Sequence, residues 1–253
     1  ITTCIESICR QRYKDFEIVI VDDGSTDGSI EIAEKILTDN QLNFKKVGIQ
    51  NEDGSFKNCG VSAARNLGIA NAEGEWCVCI DCDDCINIDT LNFYAKAISV
   101  AHEYADFIFC DYADIYSNEV NIERRLNFST MTYSADELLK LFYLRIIPII
   151  SPSILVNKRF AVENNIHYPE GYSFSEDVYY IWHLILNCRS AVRINSECYN
   201  YIHHKLSTTT GSSPKKIISG YKLFCEFDDE LKESDGRWNT DLSLILPRWV
   251  VGQ

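Results

Sequence analysis

Glu75-Trp76-Cys77-Val78-Cys79-Ile80-Asp81-Cys82-Asp83-Asp84 is a short apolar run that ends in three carboxylates within four residues. The apolar part reads as a buried strand, bounded upstream by Gly74, a stop signal for the helical pattern before it. The carboxylates then sit beyond its C-terminal end, where open α/β sheets place their ligands. In an extended chain Asp81 and Asp83 point one way and Cys82 the other. Two carboxylates on one side suit Mg²⁺ or Mn²⁺, hard cations that leave coordination positions for substrate phosphates. Three adjacent like charges also call for a cation to offset them. The stretch therefore predicts a metal-assisted enzyme acting on a phosphorylated donor.

Working outward, strands and helices alternate. Phe16 to Val21 reads as a strand, and its continuous β-branched run predicts burial on both faces, as in a parallel sheet. Asp22-Asp23-Gly24-Ser25-Thr26-Asp27-Gly28 follows as a tight loop, then a helix with Ile30, Ala33, Ile36 and Leu37 on one face. A weaker strand over 44–50, a helix over 61–72, a helix from Asp89 and a strand over 106–110 complete the alternation. The expectation is an α/β fold with a mainly parallel central sheet flanked by helices. The second half differs. Ser134-Ala135-Asp136-Glu137 is a capping box, Pro148 and Pro152 interrupt an apolar stretch, and Val178, Ile181, Trp182 and Ile185 mark a buried helix that opens with Glu176-Asp177. Cys198 to His203 reads as a strand, and a helix is expected near 216–231. The expected divisions are 1–112, 113–210 and, as a helical extension, 211–253.

Composition narrows the partners. The 253 residues carry a formal net charge of −13, which argues against nucleic acid, since no clustered Lys and Arg are there to neutralise phosphates. An acidic chain that binds a diphosphate needs a metal or a local positive group. No apolar run is long enough to span a bilayer, and no signal peptide is read at the start. The 11 cysteines follow no regular framework and read as reduced, mostly buried small side chains of a cytoplasmic protein. Cys77, Cys79, Cys82 and Cys85 lack the paired C-x-x-C spacing of a zinc ribbon.

The acidic clusters, in order, carry a resemblance. Ile18 to Ser29 resembles the nucleotide-binding strand and loop of family 2 glycosyltransferases of the GT-A fold. Gly60-Val61-Ser62-Ala63-Ala64-Arg65-Asn66-Leu67-Gly68-Ile69 resembles that family's next motif, and Asp81-Cys82-Asp83 its D-x-D motif. Tyr168-Pro169-Glu170-Gly171 with Ser175-Glu176-Asp177 resembles the region around its catalytic base. The likeness starts after the family's first strand, so a sheet lacking a central strand is expected.

The resemblance implies that 1–112 binds the nucleotide-sugar and that 113–210 binds the acceptor and carries the base, and it implies roles for these residues. Asp22 or Asp23, with Ser25, would contact the base of the donor, a UDP-sugar, and Arg65 would lie near the nucleotide. Asp81 would approach the ribose or the metal. Asp83, with Asp84 close by, would ligate Mn²⁺ or Mg²⁺, and His203 or His204 would complete the metal site or touch phosphate. Asp177 would be the general base, with Glu176 beside it, in an inverting transfer to a saccharide or glycolipid acceptor. The alternatives are a nucleotidyltransferase and a non-catalytic nucleotide-sugar-binding protein. Lys205, Ser207 and Thr208 to Thr210 are candidate diphosphate contacts on a loop that orders over the donor. Trp238, Leu242, Leu244, Ile245, Leu246, Trp249 and Val250, with Arg237 and Arg248, suggest peripheral contact with the inner face of the cell membrane, a core segment or a dimer contact.

Overall fold

The computed structural model describes residues 1–52, 54, 56–101, 104–116, 120–203 and 214–233. The first half alternates as expected: α1 (Thr2–Cys9), β1 (Val19–Val21), α2 (Ser29–Asp39), β2 (Lys45–Val47), α3 (Val61–Asn71), β3 (Trp76–Val78), β4 (Cys85–Ile86), α4 (Thr90–Ala101) and β5 (Phe107–Ile115). The second half adds β6 (Thr130–Ser134), α5 (Ala135–Tyr143), β7 (Ile154–Asn157), α6 (Lys158–Glu163), α7 (Glu176–Asn187), β8 (Ser190–Ile202) and α8 (Pro214–Glu233). No helix among the described residues is long and apolar enough to cross a membrane.

The α/β architecture stands, but the sheet is mixed rather than mainly parallel. β1 and β2 form a two-stranded parallel sheet, while β3-β7-β5-β8-β4 form the central sheet with β6 added on β8. Among the described residues the one parallel pairing in the central sheet is β5·β8; β3·β7, β5·β7, β4·β8 and β6·β8 are antiparallel. An apolar run reports that both faces of a strand are covered and not which way its neighbour runs. Among the described residues β1 and β3 do not pair, so the two sheets are separate. Val19, Ile20 and Val21 are half-buried, against the burial on both faces expected of this run.

The division expected after residue 112 falls inside β5, and strands from both halves alternate across one sheet, so the halves share a scaffold. Helices cover both faces. Phe107, Phe109, Ile154 and Val156 face α5 and α7, whose Leu138, Phe142, Trp182 and Ile185 are buried against them. Ile108, Cys110, Leu155, Val192 and Ile194 face α4 through Phe93, Tyr94 and Ala97. α1 and α2 pack on β1 through Ile5, Ala33 and Leu37. The Ser134–Glu137 capping box forms at the start of α5 as expected.

Strand directions position the site. β3 and β5 both run antiparallel to β7, and β8 runs parallel to β5, so the C-terminal ends of all three lie on one edge. Asp81 to Asp84 follow β3, Asp114 and Tyr116 end β5, and His203 follows β8.

Candidate active site

The loop after β1 is held by its own carboxylates. Asp22 Oδ1 accepts from Ser25 N–H at 2.8 Å, a local turn of the kind short polar side chains favour. Asp23 spans further: Oδ1 accepts from Cys59 N–H at 2.6 Å and Oδ2 from Gly60 N–H at 2.9 Å, fastening the loop to the start of α3. Gly24 sits at φ +79°, and a Cβ there would lie 2.8 Å from Asn58 N, so only glycine lets the two loops approach this closely. Both carboxylates of the expected base contact thus also shape the loop, and Asp22 is buried.

α3 carries the central cation. Arg65 Nη2 donates to both oxygens of Asp81, at 2.8 and 3.0 Å. The Arg65 side chain is only 12% exposed and that of Asp81 29%. Burial works against the guanidinium charge, but Asp81 more than offsets it, so the group stays protonated well above the usual range. The guanidinium also lies 5.1 Å from the centre of the Tyr168 ring, which stacks on Tyr180 at 3.8 Å. Arg65 is therefore not a surface helix arginine.

Glu176 and Asp177 occupy the first turn of α7, where the positive helix end favours negative charge. Asp177 Oδ1 accepts from its following Val178 N–H at 2.8 Å. Burial raises both carboxyl groups above their ordinary values; the charge of Arg65 lowers both and that of Asp81 raises both. The charges of Arg65 on α3 and Asp81 after β3 thus both act on the carboxylates at the start of α7.

The three carboxylates of the opening stretch part ways. Asp83 is exposed. Asp84 is 1% exposed and turned inward: Oδ2 accepts from Tyr199 O–H at 2.6 Å and Oδ1 from Ile202 N–H at 2.7 Å. Burial pushes its pKa up to about 6, against the lowering by those two hydrogen bonds. The metal role expected for Asp84 would require it to share or give up one of these bonds. Both oxygens are taken by protein donors, and the residue zips the acidic turn to the end of β8, next to β4.

His203 is placed on the same edge, but its ring is engaged: Nε2 lies 2.7 Å from Asp114 Oδ1, and the ring stacks on Tyr116 at 4.2 Å. Its expected role at a metal would require that contact to break. His204, the candidate loop over Lys205 to Thr210 and the apolar cluster over 237–250 lie outside the described residues. Among the described residues no three His, Cys, Asp or Glu side chains converge to hold a metal.

Two contributors escaped sequence reasoning. Asn66 Oδ1 accepts from Tyr168 N–H at 2.9 Å, while its Nδ2 donates to Tyr168 O at 2.9 Å and to Glu170 Oε1 at 3.0 Å. The amide thus mimics a strand partner and clasps the Tyr168-Pro169-Glu170-Gly171 turn to α3. Tyr168 itself, buried and hydrogen-bonded to Ser151 at 2.6 Å, forms the floor under Arg65. The only signal was position: Asn66 follows Arg65 in the motif, and Tyr168 opens the later one. Asn66→Ala is expected to destabilise the chain by about 1–3 kcal/mol, because Tyr168 N–H and C=O lose their partner. Denaturant unfolding of the two forms checks it.

The family model described as glycosyl transferase family 2 matches residues 1–165. The poly(ribitol-phosphate) β-N-acetylglucosaminyltransferase TarS of Staphylococcus aureus is 30% identical over 203 residues, covering 79% of this chain and 33% of that protein. The cholesterol galactosyltransferase of Borreliella burgdorferi is 36% identical over 124 residues, 48% of this chain and 31% of that protein. The chain spans about a third of the length of these curated relatives. Among solved structures, S. aureus TarS 1–349 in complex with UDP-GlcNAc aligns with a TM-score of 0.69 at 22% identity, over 89% of this chain and 62% of that one. At that identity the likeness is one of fold.

Proposed function

Because the chain belongs to glycosyl transferase family 2, we propose that it moves a sugar from a UDP-sugar donor to a hydroxyl of a saccharide, polyol-phosphate or glycolipid acceptor by an inverting single displacement. The observation that carries this reading is the placement of Arg65. Arg65 pairs with the carboxylate after β3, and its charge also acts on the carboxylate pair at the start of α7, which supports a donor side and an acceptor side that are close neighbours. Family membership sets aside the nucleotidyltransferase alternative.

Asp177 takes the proton of the acceptor hydroxyl as its oxygen bonds to the anomeric carbon. The bond from that carbon to the diphosphate oxygen breaks, and its electron pair leaves with UDP. Attack opposite the leaving group inverts the configuration. Arg65 holds Asp81 in place and offsets the negative charge that a diphosphate brings to an acidic edge. Asp22 and Asp23 keep the β1 loop shaped for the uracil base, and Ser25 anchors its turn.

Mn²⁺ or Mg²⁺ would be held by the exposed Asp83, with Asp81 joining by giving up one of its Arg65 contacts. Such ions take one or two protein carboxylates and complete their shell with substrate phosphates and water, so no three-ligand protein cage is needed. When bound, the ion supplies charge neutralisation to the leaving diphosphate.

The test is UDP release from UDP-N-acetylglucosamine, UDP-glucose and UDP-galactose, with Mn²⁺ or Mg²⁺, with and without poly(ribitol phosphate) and a glycolipid mixture. Acceptor-stimulated release is the expected result. Tight UDP binding without release under any combination would mark a binding module instead.

A further inference from the structure

The segment from Tyr172 to Ser175 delivers Glu176 and Asp177, yet it is poorly secured from within. Ser175, the residue before α7, sits at φ +66° and makes no side-chain cap bond. A non-glycine residue in this region stores about 1–3 kcal/mol of strain and persists only where its surroundings hold it. The holding contacts come from α8. Ser173 N–H donates to Ser219 Oγ at 3.2 Å, and Tyr172 O–H donates to Glu226. Gly220 lies directly against the loop: a Cβ there would stand 2.8 Å from Phe174 Cδ1 and 3.4 Å from Ser175 Oγ.

α8 is itself fixed to α7. Leu223, Phe224 and Phe227 are buried in the core that includes Trp182, with the Tyr179 and Phe227 rings 5.6 Å apart. Tyr179 O–H donates to Glu230 at 2.8 Å, and His183 Nε2 lies 3.2 Å from a Glu230 oxygen. Any displacement of α8 therefore passes to the strained residue before Glu176.

We propose that α8 positions the base: Ser219 and Gly220 clamp the loop that places Asp177, and Gly220 is the contact that admits no side chain. This rests on the reading of Asp177 as the base. Ser219 and Gly220 are positioning residues and touch no substrate. A misplacement of about 1 Å can cost about a hundredfold in rate, whereas donor binding on the far side of Arg65 stays intact.

The experiment uses the full chain with Gly220→Ala, the Gly220→Ala/Phe174→Ala double variant, Ser219→Ala and Asp177→Asn. Three readouts are needed: UDP-N-acetylglucosamine affinity by calorimetry, kcat and KM for UDP release with poly(ribitol phosphate), and hydrogen exchange of the peptide over 172–178. Gly220→Ala should lower kcat about tenfold or more, leave donor affinity unchanged and speed exchange over 172–178. Removing the Phe174 ring should restore much of both. An unchanged kcat and unchanged exchange in a folded Gly220→Ala protein would overturn the proposal, as would a double variant no better than the single. Should Gly220→Ala fail to fold, Ser219→Ala carries the same test, and unchanged exchange there overturns it. If Asp177→Asn retains full transfer, the base reading fails, while exchange over 172–178 still decides whether α8 holds the loop.

Discussion

Replacing Asp177 by asparagine should lower sugar transfer by about 10²–10⁴-fold, the usual worth of a positioned general base, with UDP-sugar affinity nearly unchanged. Asparagine is close to isosteric, and its Oδ1 can still accept from Val178 N–H, so the first turn of α7 survives. What disappears is the group able to take a proton. The measurement is kcat from UDP release alongside donor affinity by calorimetry. Transfer near the parent rate would remove Asp177 from the mechanism. A fall in donor affinity equal to the fall in rate would place it on the donor instead.

The pH profile follows from the same residue. Burial raises its pKa above the ordinary carboxylate range, with Arg65 pulling it back. A base acts only when ionised. Transfer should therefore be low when Asp177 is protonated and rise as pH passes up through its raised pKa, placing the acid limb above that of a solvent-exposed aspartate. Losing the positive charge of Arg65 removes a lowering influence. In Arg65→Met the acid limb should move to higher pH, read from kcat against pH.

Much of this site was legible because it depends on strand ends. β1 and β3 were recognisable from apolar runs, and the residues following them had to lie near a sheet edge. Pairing direction was not legible. Ile154-Leu155-Val156 sits behind Pro148 and Pro152, which hide a central antiparallel strand; Pro152 instead occupies a 3₁₀ turn over Ser151–Ser153 just ahead of β7. β8 is 13 residues long, but only its end at Cys198 to Ile202 was apolar enough to read. Its earlier part alternates with polar residues such as Arg193, whose charge is met by Asp111 across a bulged register. The roles of neighbouring carboxylates were hidden for a related reason. Sequence shows that Asp81, Asp83 and Asp84 are adjacent, whereas their partners, Arg65, Tyr199 and Ile202, come from distant segments that only the fold brings together.

That separation gives Asp83 and Asp84 opposite expected phenotypes. Asp84→Ala strands two donors, the buried Tyr199 O–H and the half-buried Ile202 N–H, and each unsatisfied group costs up to about 1–3 kcal/mol. The summed loss, about 2–6 kcal/mol, corresponds to a fall in Tm of roughly 4–24 °C for a chain of this size. Asp84→Asn keeps an acceptor for one of the donors and should lose less. Asp83 is exposed, so Asp83→Ala should lower Tm by less than Asp84→Ala does. Its effect should appear in calorimetry as weaker UDP-sugar binding in Mn²⁺ and little change in EDTA. Thermal unfolding and metal-dependent binding, measured on both variants, separate a buttress from a ligand. If Asp84→Ala kept its Tm and lost the Mn²⁺ dependence, the inward-turned carboxylate would have to swing out to the metal, and the acidic turn would hold the ion with both residues. If Asp83→Ala kept full Mn²⁺ dependence, Asp81 would have to leave Arg65 to carry the ion alone, and the Arg65–Asp81 pair would then open on donor binding.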